Sequence, residues 1–216
     1  MKVGSMKPVR IIIFAKAPLP GFAKTRLIPE LGAEGAAELA LQMLLHTLQE
    51  AIAANIGSVE LCVTPSISDT AWHGIQLPKG IQITDQGEGD LGERMGRAAR
   101  CGIEQGESVI LIGTDCVEMS AALLQDAKLN MHKHDAVIHC TVDGGYALLG
   151  MNQFNSFLLS RMPWSTDEVA STTLGRIGQL GWSVHVGQML HDVDEASDLK
   201  YLPGYLSGHW RLRDAA

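Results

Sequence analysis

Short apolar, β-branched runs alternate with stretches of helical periodicity through the first half of this chain. That alternation restricts the fold more than any other feature. Val9–Ala15, Val59–Thr64, Ile81–Thr84 and Ser108–Gly113 read as strands. Between the first two, the segment Ala33–Ala54 carries Leu39, Leu41, Leu44, Leu45, Leu48 and Ile52 at helical spacing. A helix over Leu91–Glu104 follows the third, and one over Ser120–Met131, with Ser120 as its cap, follows the fourth. Strand–helix–strand units joined in this way give a parallel sheet with helices on both faces. The second half is less regular. Ala136–Val142 and Tyr146–Gly150 flank Asp143-Gly144, a hairpin signal. Helices are expected over 152–160 and 167–180, a short strand over 182–186 and a last helix from Glu195. No repeat or linker interrupts the pattern, so a single α/β domain over residues 1–216 is expected, with a mostly parallel central sheet.

Charge is unevenly placed. The chain carries a net charge of -7, yet its first 29 residues hold basic side chains and no acidic one. The first strand runs straight into a Pro/Gly-punctuated loop bearing Lys16, Lys24 and Arg26. Open α/β sheets bind ligands beyond the carboxyl ends of their strands, and fixed cations there suit phosphates. The island is local and the balance acidic, which favours a small anion over a nucleic acid. No apolar run approaches the ~20 residues of a membrane helix, and IIIFA is too short for a secretory core. Cys62, Cys101, Cys116 and Cys140 show neither C-x-x-C nor zinc spacing. Reduced thiols in a cytoplasmic protein are therefore expected.

Other stretches carry chemistry of varying specificity. Gly87, Gly89 and Gly92 satisfy G-x-G-x-x-G between a strand and a helix. Glu88 and Asp90 inside that loop oppose a pyrophosphate, and Asp90 suits a helix N-terminus, which argues against a dinucleotide enzyme. The apolar run VILIG delivers Asp115 to the carboxyl edge of the sheet, where one carboxylate can ligate a divalent cation bridging phosphates. In VDGGYALLG, Asp143 reads equally as a turn residue and as a group binding or deprotonating an acceptor hydroxyl. In MPWSTDEV, Ser165 and Glu168 match a capping box, with Trp164 and Asp167 left for an acceptor pocket. In HDVDEASDL, Asp194 reads as a helix cap, Asp198 as a surface group and Asp192 as a second metal ligand. His132 and His134 sit at the end of a predicted helix, where its dipole accounts for them.

In this order FAKAPLPGFAKTRL, QGEGDLGERM, LIGTDC, DGGYALLG, PWSTDEV and DVDEASDL span residues 14 to 199. Together they resemble the bacterial GT-A-type transferases of the DUF2064 group, which are similar to the molybdenum-cofactor and phospholactate nucleotidyltransferases. The resemblance implies a Rossmann-like GT-A fold that binds a nucleotide-sugar donor. It places Ala15, Lys16, Lys24 and Arg26 at the phosphates and Gly89, Asp90, Leu91, Gly92 and Arg94 beside the nucleotide. It places Asp115 where GT-A proteins hold a metal-binding aspartate, so Mg2+ or Mn2+ is expected there, with Asp192 as the second candidate ligand. Gly144, Gly145, Tyr146 and Trp164 then face the acceptor, with Asp143, or else Asp167, as base. Asp115 stands alone, without the D-x-D pair common in glycosyltransferases. Two further departures are Val117, where family members carry proline, and His139–Val142, where they read G-P-A-E.

The expected activity is sugar transfer from a nucleotide-diphospho-sugar to a small acceptor. Two alternatives stand beside it: nucleotidyl transfer from an NTP to a phosphorylated acceptor, and nucleotide binding without turnover.

Overall fold

A computed structural model describes residues 7–206. Its centre is one seven-stranded sheet in the order β3-β2-β1-β4-β6-β5-β7. The strands are β1 (Val9–Lys16), β2 (Gly57–Thr64), β3 (Gln82–Asp85), β4 (Ser108–Ile112), β5 (Ala136–Cys140), β6 (Tyr146–Met151) and β7 (Val184–Val186). β1 pairs in parallel with β2 and β4, β2 with β3, and β5 with β7; β6 alone runs backwards, antiparallel to both β4 and β5. The mostly parallel Rossmann-like sheet and its hairpin are those expected from the sequence.

The two central strands are apolar through their middles, at Ile11–Phe14 and Val109–Ile112, because both faces are covered. Ile11 and Ile13 of β1 and Ile110 and Ile112 of β4 enter the core beneath α1 (Ile28–Ala54) and α3 (Ala121–Met131). Ile12, Val109 and Leu111 enter the opposite core with α2 (Leu91–Glu104) and α4 (Val169–Gln179). At the amino edge, the buried Arg10 guanidinium donates to Glu60 Oε2 at 3.1 Å. Arg10, one of the basic residues near the start of the chain, is thus tied up inside the fold.

Helix ends follow local chemistry. Ser120 caps α3, its hydroxyl accepting from Leu123 N at 3.3 Å. α1 starts at Ile28, earlier than periodicity indicates, and bends at Gly32, whose φ of 71° is not helical. Three expectations need correction. The helix over 152–160 is only a 3-10 turn, Ser156–Leu158, whose N-cap Asn155 Oδ1 accepts from Phe157 N at 3.0 Å, and Arg161 beyond it adopts φ 47°. Ser165 does not cap α4: its φ of 64° is left-handed, whereas a capping residue is extended. The last helix is a 3-10 segment, Ala196–Tyr201, closed by Asp198 instead of Asp194; Asp198 Oδ2 accepts from Glu195 N at 2.8 Å.

Candidate functional site

The carboxyl ends of β1, β4 and β5 and the start of the reversed β6 share one rim of the sheet. Five segments meet there: the loop after β1, the turn at 113–117, the hairpin 141–145, the glycine loop after β3, and a strap over 188–195. The strap is stitched across the rim by backbone bonds. Leu190 N donates to Cys140 O at 2.9 Å, Val142 N to Leu190 O at 3.2 Å and Val193 N to Asp115 O at 2.9 Å. His191 N donates to Glu118 Oε2 at 2.7 Å.

Lys24 is the hub. Its side chain is 7% exposed, and its ammonium donates to Asp115 Oδ1, to Val193 O at 2.7 Å and to Asp194 Oδ1 at 2.9 Å. Burial works against its charge, but Asp115 and Asp194 outweigh burial, so its pKa stands above the ordinary lysine value. Lys24 also holds a left-handed backbone, φ 46° and ψ 45°, uncommon for a residue with a side chain. Asp192 sits in the same nest. Burial first, then the charges of Asp115, Asp143 and Asp194, push its carboxyl up to about 7 against the opposing pull of Lys24. Lys24 thus bridges two aspartates, with Asp192 beside them and Asp143 close to Asp192.

Asp143 anchors the hairpin turn: its Oδ1 accepts from Thr141 Oγ1 at 2.5 Å and Gly145 N at 3.0 Å. Gly144 has φ 90° and touches the start of the α4 segment so closely that a Cβ would stand 2.2 Å from Asp167 O. Ala170 N donates to Gly144 O at 2.8 Å. Asp167 itself is exposed, its backbone against Gly144.

The glycine loop is closed on itself. Asp90 and Glu93 form a reciprocal capping box on α2, with Asp90 Oδ1 accepting from Glu93 N at 2.9 Å. Arg94 Nε donates to Gly89 O at 2.7 Å, and Arg97 donates to Gln86 O at 2.7 Å and Glu88 O at 2.6 Å. Leu91 is exposed; Gly92 is buried where a Cβ would meet Leu159 O at 2.2 Å.

Of the residues singled out in the sequence, Lys24, Asp115, Asp143 and Asp192 come together, and Asp194, read as a helix cap, joins them. Arg26 does not. It is exposed and pairs with Glu195 at 3.6 Å. Lys16 is exposed at the end of β1 and makes no ion pair among the described residues, while Ala15 beside it is buried. Tyr146 and Trp164 pack against the α2–α4 core. Burial pushes the Tyr146 phenol up, against a smaller opposing effect of Thr173, and the Trp164 indole nitrogen is buried near Gly92. Gln86 escaped the sequence reading. Its buried amide donates to Ala15 O at 3.1 Å and Cys62 O at 3.0 Å, and so fixes the edge across three strands. Its only sequence signal is a polar residue between a strand and a glycine loop. All four cysteines are free, and only Cys101 is exposed.

The resemblance drawn from the sequence implies a divalent cation. Carboxylate oxygens are the hard donors such ions prefer, and the Lys24 ammonium spanning Asp115 and Asp194 shows that the place accepts a cation. The donors therefore fit in kind. Among the described residues, no three His, Cys, Asp or Glu side chains are gathered to hold a metal as they stand. No helix among them is long and apolar enough to cross a membrane.

The sheet order, the reversed β6 and the polar rim define a Rossmann-like fold of the GT-A type. The structure is similar to that of a candidate nucleotide-diphospho-sugar transferase from Desulfovibrio desulfuricans G20, with TM-score 0.84 and 28% identity over 96% of this chain and 91% of that one. It shares its fold with 4-diphosphocytidyl-2C-methyl-D-erythritol synthase from Anaerococcus prevotii DSM 20548, at TM-score 0.60 and 14% identity over 94% and 100% of the two chains. It also shares it with Rv0371c of Mycobacterium tuberculosis H37Rv, solved with manganese, at TM-score 0.56 and 13% identity over 91% and 98%. A comparison with curated proteins found no match. Residues 47–166 match the family described as "Uncharacterized protein conserved in bacteria (DUF2064)", and the chain belongs to that family.

Proposed function

We propose that this protein is a single-domain transferase that takes a sugar from a nucleotide-diphospho-sugar donor. The observation that carries the reading is the convergence of Lys24, Asp115, Asp143, Asp192 and Asp194 at one rim, within reach of the loop bearing Lys16. The likeness to the Desulfovibrio protein supports it over nearly the whole chain. Asp115 and Asp192 are the carboxylates that would hold a divalent cation, which when bound would supply Lewis-acid charge. Lys16 and Lys24 add positive charge where the departing nucleoside diphosphate gathers negative charge. Asp143 keeps Oδ1 in the turn, which leaves Oδ2 to accept a proton from an acceptor hydroxyl.

Nucleotidyl transfer is the second reading. It is favoured by the lone Asp115, by Lys24 beside it, and by a fold shared with a cytidylyl-transferring synthase. One assay separates the two: the full chain with Mn2+ and a panel of nucleotide sugars or NTPs. Release of nucleoside diphosphate from a nucleotide sugar supports sugar transfer. Release of pyrophosphate from an NTP supports the second reading. Binding of neither class, read as an unchanged melting temperature, rejects both.

A further inference from the structure

On the α3 face of the sheet, β5 and β7 run side by side. Their register sets His185 opposite Val137, so His185 and His139 share one face. With Ser120, Leu123, Asp126 and Gly187 they line a cavity of about 330 Å3, room for about ten water molecules. His139 is 2% exposed. Its Nδ1 lies 3.3 Å from Gln188 O, and a carbonyl only accepts, so Nδ1 carries the proton. Burial holds the ring below its ordinary pKa; the Gln188 carbonyl opposes this, His185 adds to it and Asp126 opposes it. The neutral ring offers a lone pair at Nε2. That nitrogen is buried and has no hydrogen-bond partner among the described residues. Gly187 packs on this edge of the ring, where a Cβ would stand 2.2 Å from Cε1 and 2.4 Å from Nε2, so the covering residue is one without a side chain.

Buried acceptors in folded proteins are nearly always matched by a donor, and the cavity is a place from which one can come. The rest of the lining fixes its kind. Asp126 is exposed, and its Oδ2 accepts from Asn130 Nδ2 at 3.0 Å, which leaves Oδ1 for another donor. Among the described residues, no lysine or arginine lines the cavity. A lone pair and a carboxylate without a fixed cation suit a ligand that brings N–H donors and positive charge, and they disfavour an anion.

We propose that this cavity is a binding site for a small protonated amine, whose ammonium donates to His139 Nε2 and lies against Asp126. The site is separate from the donor reading above and stands whether or not the rim transfers a sugar. β5 runs on into the 141–145 hairpin and Gly187 into the 188–195 strap, so an occupant touches the roots of the segments that carry Asp143, Asp192 and Asp194.

The test is titration of the full chain with benzylamine, benzyl alcohol and benzoate, which share a ring and differ in charge, followed by the His139 imidazole signals of nitrogen-labelled protein. A ligand of about eight heavy atoms binds a good site at about 1 mM. Benzylamine should move the His139 Nε2 signal in that range, and the other two should leave it in place. Asp126→Asn should weaken benzylamine about 3-fold, and His139→Phe should weaken it about 10-fold. Asp126→Asn, a surface change, decides alone if His139→Phe shows no cooperative melting. An Nε2 signal that benzylamine leaves unmoved overturns the inference and leaves the cavity to water. Benzyl alcohol or benzoate binding as tightly as benzylamine, or benzylamine affinity unchanged in Asp126→Asn, overturns it too. The nucleotide assay above is independent of each outcome.

Discussion

The rim is held by different means on its two sides. On the β1–β4 side the loops are tied by polar side chains: Gln86 bridges strands, Arg94 and Arg97 grip the glycine loop, and Lys24 joins three segments. On the hairpin side the decisive contacts are steric. Gly144 rests on the backbone of Asp167, and Gly187 rests on the His139 ring, where a Cβ would stand 2.2 Å from Cε1. The first side depends mainly on polar side chains, with Gly92 its one close backbone approach named above, whereas the second depends on close approach at both Gly144 and Gly187.

The largest effect is expected from the group that joins the two sides. Asp115→Asn should lower kcat by about 100- to 1,000-fold, the scale for losing one preorganised electrostatic partner, as measured by donor turnover. A loss under threefold would remove Asp115 from the chemistry. Gly144→Ala comes next. Its positive φ and the overlap with Asp167 should cost about 2–3 kcal/mol, read from urea unfolding. A neutral result would mean that the hairpin yields and that its hold is not steric. Asp90→Ala, on the polar side, should cost about 1 kcal/mol by loss of a cap. The same measurement on the two variants thus compares the two modes directly.

The smallest effect is a pH dependence. Burial holds the His139 imidazole below its ordinary value of 6.5; the Gln188 carbonyl, 3.3 Å from Nδ1, opposes this in part. His139 is thus neutral when folded, and the unfolded chain takes up the proton first. Its contribution to stability is whole above about pH 6.5 and is lost as the pH falls toward the lowered folded value. Unfolding free energies at pH 7.5 and 5.5 should differ less in His139→Phe than in wild type. An equal difference would place the acid sensitivity elsewhere.

Those parts of the fold that local forces dictate were legible in the sequence. β1 and β4 are apolar on both faces, and α2 begins and ends as expected because D-x-x-E fixes its first turn. The rest depended on partners distant along the chain. Asp194 looks like a cap among D-V-D-E-A-S-D, and only a lysine 170 positions away makes it part of the rim. Arg26 and Lys24 are alike in sequence, yet the left-handed residue turns one inward and leaves the other to Glu195. The missing helix over 152–160 is replaced by irregular backbone whose carbonyls find Arg176, which takes Phe157 O at 3.0 Å and Ser160 O at 2.6 Å. No local pattern announces that rescue.

The backward run of β6 has a consequence for how such a protein diversifies. Because that strand reverses, the turn preceding it emerges beside the ends of its parallel neighbours, and its length is independent of the pairing of β1 with β2 and β4. The hairpin therefore behaves as an exchangeable cassette set against a constant platform. Changes in the length or sequence of 141–145 are therefore expected to leave the pairing of β1 with β2 and β4 intact.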